Sequence, residues 1–107
     1  MNSYRNIDGR IVAKLENGTL FKKVAKSKHM FKQNQGWGFD EEIINQASKD
    51  GAVRVKVFDI ETGTIYTAPI DTFLLKAQVV DYGHGTQLIL GGRYWSAAAA
   101  EQGSFEF

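Results

Sequence analysis

The chain reads as a single α+β domain: a small, mostly antiparallel, twisted β-sheet built from hairpins, with one covering α-helix at about 40–49 and a short second helix near 71–76. Three observations predict it. Asn17-Gly18 lies between two alternating apolar stretches. Val53, Val55 and Val57 alternate with Arg54, Lys56 and Phe58 ahead of a Gly-containing turn. Asp40-Glu41-Glu42 opens a segment that Gly51 closes.

The first hairpin spans Arg10 to Val24. Asn-Gly accepts the positive φ that a tight two-residue turn demands, and such a turn sets the register. Leu15 then faces Leu20, Ala13 faces Lys22 and Ile11 faces Val24 on one side, which is the better candidate for the core. Val12, Lys14, Phe21 and Lys23 take the other side. Residues 26–38 have no period and carry Asn34, Gln35, Gly36 and Gly38, so they read as an irregular connection.

Asp40 caps the helix, Glu41 and Glu42 suit its N-terminal dipole, and Phe39 and Ile44 hold staple positions. Its apolar stripe of Ile43, Ile44 and Ala47 is narrow, which predicts a helix lying flat on a sheet. The valine-alternating strand turns at Asp59-Ile60-Glu61-Thr62-Gly63 and returns over 65–70, where Pro69 marks a strand end or edge. Asp71 is read as the cap of one or two helical turns. A last strand pair, 78–82 and 87–90, joins across Gly83-His84-Gly85.

The domain is placed at 1–95. Residues 96–107 are alanine-rich and end in Phe105-Glu106-Phe107, and they read as a tail outside the core, with Ser96 and Gly103 bracketing a short helix. Gly103-Ser104 and Glu106-Phe107 also resemble translated cloning sites, so a vector-derived tail is the competing reading.

With 107 residues, 43% of them apolar, one core is within reach and two are not. The absence of cysteine excludes a disulfide framework, a Cys-ligated zinc or iron–sulfur site and a thiol nucleophile. The first residues lack the apolar run of a secretory signal, and nothing has the length of a membrane span, so the expectation is a cytoplasmic protein without a membrane partner.

Charge is the main functional clue. The net +1 conceals eight Lys or Arg against two acids over residues 1–35, and five against ten over the rest. The excess peaks at Lys22, Lys23, Lys26, Lys28 and Lys32, with His29 among them and Phe21, Met30 and Phe31 interleaved; Trp37 follows. Cations bind phosphates by releasing counterions and flat rings stack on unpaired bases, so this segment points to RNA or DNA, with Phe31 and Trp37 as stacking partners. The plainer reading is a solvated strand edge and loop, with the rings in the core.

Two other classes of function stand beside it. One is a protein-interaction module, in which the chain forms a homodimer or meets an acidic protein partner. The other is a small metal-independent ribonuclease or toxin-like protein using His84 and Arg93, against which stands a hairpin tip whose histidine sits in water. No metal site is expected, because the two histidines are far apart and the acids scattered, and no cofactor motif is present. Phe58, Tyr66, Phe73, Tyr82, Tyr94 and Trp95 read as core before pocket lining.

Overall fold

The computed structural model describes residues 2–6, 8–24, 36–81, 83 and 85–99. Among these residues nine strands and two helices follow one another as β1 (Asn2–Arg5), β2 (Ile11–Glu16), β3 (Thr19–Val24), β4 (Gly36–Asp40), α1 (Glu41–Lys49), β5 (Arg54–Asp59), β6 (Thr64–Pro69), α2 (Ile70–Lys76), β7 (Gln78–Asp81), β8 (Thr86–Gly91) and β9 (Ser96–Ala99), with a 3-10 turn over Gly92–Tyr94. The class is α+β, mostly strand.

The strands form two sheets, not the one mostly antiparallel sheet expected, and all their pairings but one are antiparallel. The larger runs β1-β2-β3-β5-β6-β9 and the smaller β4-β8-β7. At the centre of the large sheet β3 and β5 are parallel, Leu20 beside Val55 and Lys22 beside Val57. Parallel neighbours need a crossover, and the stretch that carries β4 and α1 provides it. Hairpin signals report only sequence neighbours, so this pairing is invisible to them.

Elsewhere local chemistry decides. Asn17 (φ 52°) and Gly18 (φ 77°) make the β2–β3 turn, and Leu15 pairs with Leu20 across it. Asp40 accepts a hydrogen bond from the Glu42 backbone N–H at 2.9 Å and caps α1. Asp71, expected to cap the second helix, lies in its first turn instead, because α2 begins directly after Pro69. Three strands fall where none was read, the third of them Ser96–Ala99. Asn2–Arg5 pairs with β2, and Gly36–Asp40, within and just after the presumed irregular connection, pairs with β8.

Ser96–Ala99 is a strand on β6, not a helix, although its four residues are exposed. A helix that short retains too few internal hydrogen bonds, whereas an edge ladder supplies them at once. Residues 100–107 lie outside the described part. No helix among the described residues is long and apolar enough to cross a membrane.

The core lies on one side of the large sheet, between it and the layer formed by the small sheet and both helices. Leu15, Leu20, Val55, Val57 and Ala68 meet Ile44 and Ala47 of α1, Phe73 of α2, and Trp37, Phe39, Leu88 and Leu90 of the small sheet. An aromatic cluster ties the layers together. Trp37 stacks on Tyr66 with centroids 3.9 Å apart, and Trp95 meets both Trp37 and Phe73 edge-on at 5.8 and 5.9 Å. The buried Trp95 indole N–H donates to the Leu90 carbonyl at 2.9 Å, so its one polar atom is satisfied.

Tyr4 fastens the edge strand β1 to the end of α1, its hydroxyl donating to Asp50 at 2.7 Å. Burial, reinforced by that bond, raises the Tyr4 pKa to about 12. The same bond, with one from Gln46, holds the Asp50 carboxyl below its ordinary value.

Candidate nucleic-acid interface

A strand sends alternate side chains to opposite faces, so burying one set commits the other to the outside. On β3, Leu20 goes to the core and Phe21 and Lys23 go out. On β5, Val55 and Val57 are fully buried, which sends Arg54, Lys56 and Phe58 outward. Register then assembles the outer face. Lys14 lies opposite Phe21, Phe21 beside Lys56, Lys56 opposite Thr67, and Lys23 beside Phe58.

The result is a basic, aromatic patch across β2, β3 and β5. Lys23 and Arg54 are exposed, while Lys14, Phe21, Lys56 and Phe58 are half-buried. Arg54 is steadied by a 2.8 Å hydrogen bond from its guanidinium to the Thr19 hydroxyl. Glu16, at the end of β2, shares this face opposite Thr19. Both helices and the small sheet pack on the opposite, core side.

The structure redistributes the residues singled out in the sequence. Lys23 belongs to the patch. Lys22 does not, because it shares parity with Leu20 and points to the core side, where its amine donates to the Gly38 carbonyl and lies 4.4 Å from the centre of the Phe39 ring. Burial of that amine lowers its pKa to about 8. Trp37, expected as a stacking partner, is only 9% exposed and is held between Tyr66 and Trp95, so it offers no ring face to a base. Lys26, Lys28, His29, Phe31 and Lys32 lie outside the described residues, as do Tyr82 and His84.

Arg93, the other half of the ribonuclease reading, is exposed. It donates to its neighbour Tyr94 at 2.7 Å and lies over that ring. Phe58, expected in the core, instead faces outward. Lys14, Arg54, Lys56 and Phe58 are the patch residues that charge clustering along the chain missed. Their signal was the alternation of Arg54, Lys56 and Phe58 against three valines.

Asp59 is the one buried carboxylate among the described residues, at the core-facing end of β5. Its Oδ1 accepts the Glu61 backbone N–H at 3.0 Å, serving the turn, while Oδ2 has no hydrogen-bond partner among them. The described residues hold no group of three or more His, Cys, Asp or Glu placed to bind a metal.

The buried lysine carries a measurable consequence. Its pKa falls from 10.5 unfolded to about 8 folded, so between those values the unfolded chain holds more protons and stability rises with pH; below about 8 the cost of burying the charge is present in full. Lys22→Met keeps the stem and removes the charge. The variant is expected to be more stable than the parent by ~1–3 kcal/mol at pH 7, with the gap closing by pH 10.5, measured by urea denaturation at each pH. A variant less stable than the parent at pH 7 would show that the bond to Gly38 outweighs the desolvation.

Comparison with protein-family models, with curated proteins and with solved structures finds no match to this chain.

Proposed function

We propose that the protein binds nucleic acid through the outer face of the large sheet, with Lys14, Lys23, Arg54 and Lys56 meeting phosphates. The observation that carries this reading is the pairing register itself. It gathers four cations and two aromatic rings from three strands onto one face, where Glu16 is the one acid those three strands contribute. Phosphate is the ligand chemistry that such a surface suits, because each neutralised phosphate releases condensed counterions. An α+β scaffold adds rigidity: the patch sits on paired strands, so its side chains keep their spacing when a ligand arrives.

The test is a fluorescence anisotropy titration of labelled RNA and DNA oligonucleotides at several salt concentrations. Four phosphate contacts predict that log K falls with log salt at a slope of about −3. Absence of binding even at low salt overturns the reading and leaves the basic face to an acidic protein surface.

A further inference from the structure

Independently of the nucleic-acid reading, we infer that β7, the strand that ends the small sheet, pairs with β7 of a second copy of this chain, joining the two small sheets across a two-fold axis. The observation behind it is a row of core side chains that stops short. Phe39, Leu88 and Val79 lie side by side across β4, β8 and β7. Phe39 and Leu88 are buried in the core, whereas Val79, on the same side of the sheet, is 61% exposed. Leu74 and Leu75, in the last turn of α2 just before β7, are exposed as well, Leu75 by 80%.

This edge carries none of the usual guards against another strand, which are lysine, proline or a bulge. The edge strand β1 has an irregular register at Tyr4/Arg5 and carries Arg5, and the edge strand β9 offers only serine and alanine. By contrast β7, Gln78-Val79-Val80-Asp81, has no lysine, no proline and no shift in its register with β8.

Symmetry then selects the register. Two antiparallel strands related by an axis normal to the sheet keep the same side up, so each residue must meet one of its own parity. Centring the axis on Val79 sets it opposite the partner's Val79, with Gln78 opposite the partner's Val80 and Ala77 opposite the partner's Asp81. No like charges face each other, and Asp81 arrives next to the partner's Lys76, the basic residue in the last turn of α2. The apolar row then runs unbroken through both copies, and about four backbone hydrogen bonds close the ladder. Centring it on Val80 instead would lay the Asp81 carboxylate against the partner's Val79. A peptide of another sequence would take the backbone bonds alone; the chain's own β7 also supplies the valine that completes the row.

An edge pairing of this size belongs with weak, transient interfaces, so the test is mass against concentration. Sedimentation of the full chain without nucleic acid, from about 1 μM to about 1 mM, is expected to show the parent passing from monomer to dimer. Val79→Lys, which sets two ammonium groups opposite each other at the axis, should weaken the dimer about tenfold or more. Because the chain has no cysteine, Val79→Cys can form a disulfide only with its own copy. Facing Cβ atoms about 5 Å apart suit that bond, so mild oxidation should crosslink Val79→Cys about tenfold faster than Val53→Cys, a control at a site 56% exposed. Circular dichroism checks that each variant is folded. A monomer at every concentration overturns the inference. So does a dimer that Val79→Lys leaves intact, or one that crosslinks no faster through Val79→Cys than through Val53→Cys, since either result places the contact elsewhere.

Discussion

Gly36→Ala is expected to destabilise the protein by ~3 kcal/mol or more, enough to lower the melting temperature by more than about 12 °C in a domain of this size. Gly36 opens β4 opposite Gly91 of β8. A Cβ there would overlap the Leu90 carbonyl oxygen and lie 2.8 Å from its carbon and 3.0 Å from the Gly91 Cα. All three are backbone atoms, so no side chain can swing aside and β4 must shift against β8.

That shift reaches the core at once, because the next residue is Trp37, stacked on Tyr66 and edge-on to Trp95. Gly85→Ala is the control. It has open space around it and no positive φ, so it should leave the midpoint within about 2 °C. Thermal melts followed by circular dichroism read both. Equal midpoints for the two variants would mean that the β4–β8 approach is looser than described.

The double charge reversal Lys23→Glu with Lys56→Glu is expected to weaken nucleic-acid binding by roughly 30-fold or more near physiological salt, and to reduce the salt slope by about 2. The reasoning is electrostatic. Each lost phosphate contact removes the release of about 0.7 counterion on a single strand and about 0.9 on a duplex, and the added carboxylates repel the phosphates that remain. Both residues point away from the core, on the face opposite Lys22 and Val57, so the substitutions leave the packed layers alone. The loss should be similar for every sequence tested, as phosphates carry no sequence information. An affinity unchanged by the double reversal would sink the assignment of this face. A changed affinity with an unchanged slope would point to misfolding, which a melting curve distinguishes.

Much of the architecture was legible because it is local. The Asn17-Gly18 turn forces its own register, and from that register Leu15 and Leu20 fall on the core side while Lys14, Phe21 and Lys23 fall on the other. Asp40 announces a helix start because its carboxylate can reach a free backbone N–H. The valine alternation in β5 separates Val55 and Val57 from Arg54, Lys56 and Phe58 with no knowledge of what lies alongside.

The candidate site was less legible, since charge was read by distance along the chain. That placed Lys22 and Trp37 at the interface. Yet Lys22 shares parity with Leu20 and turns its amine toward Gly38, and Trp37 is locked in an aromatic cluster. The strand β4 was missed because its two glycines look like loop punctuation. In the fold they allow a backbone approach that a side chain would block.

By itself, then, the sequence determined the α+β class, the turns, and which side of each central strand seeks water, because period and turn chemistry act within a few residues. Only the tertiary structure decided that β3 and β5 are parallel neighbours, and hence that Phe21, Lys23, Arg54, Lys56 and Phe58 share one surface. Their juxtaposition spans more than thirty positions of chain and rests on a crossover that buries Trp37 and Phe39 against the far side of the same sheet. No local signal encodes such a pairing, since it is selected by the apolar area that the two layers bury together.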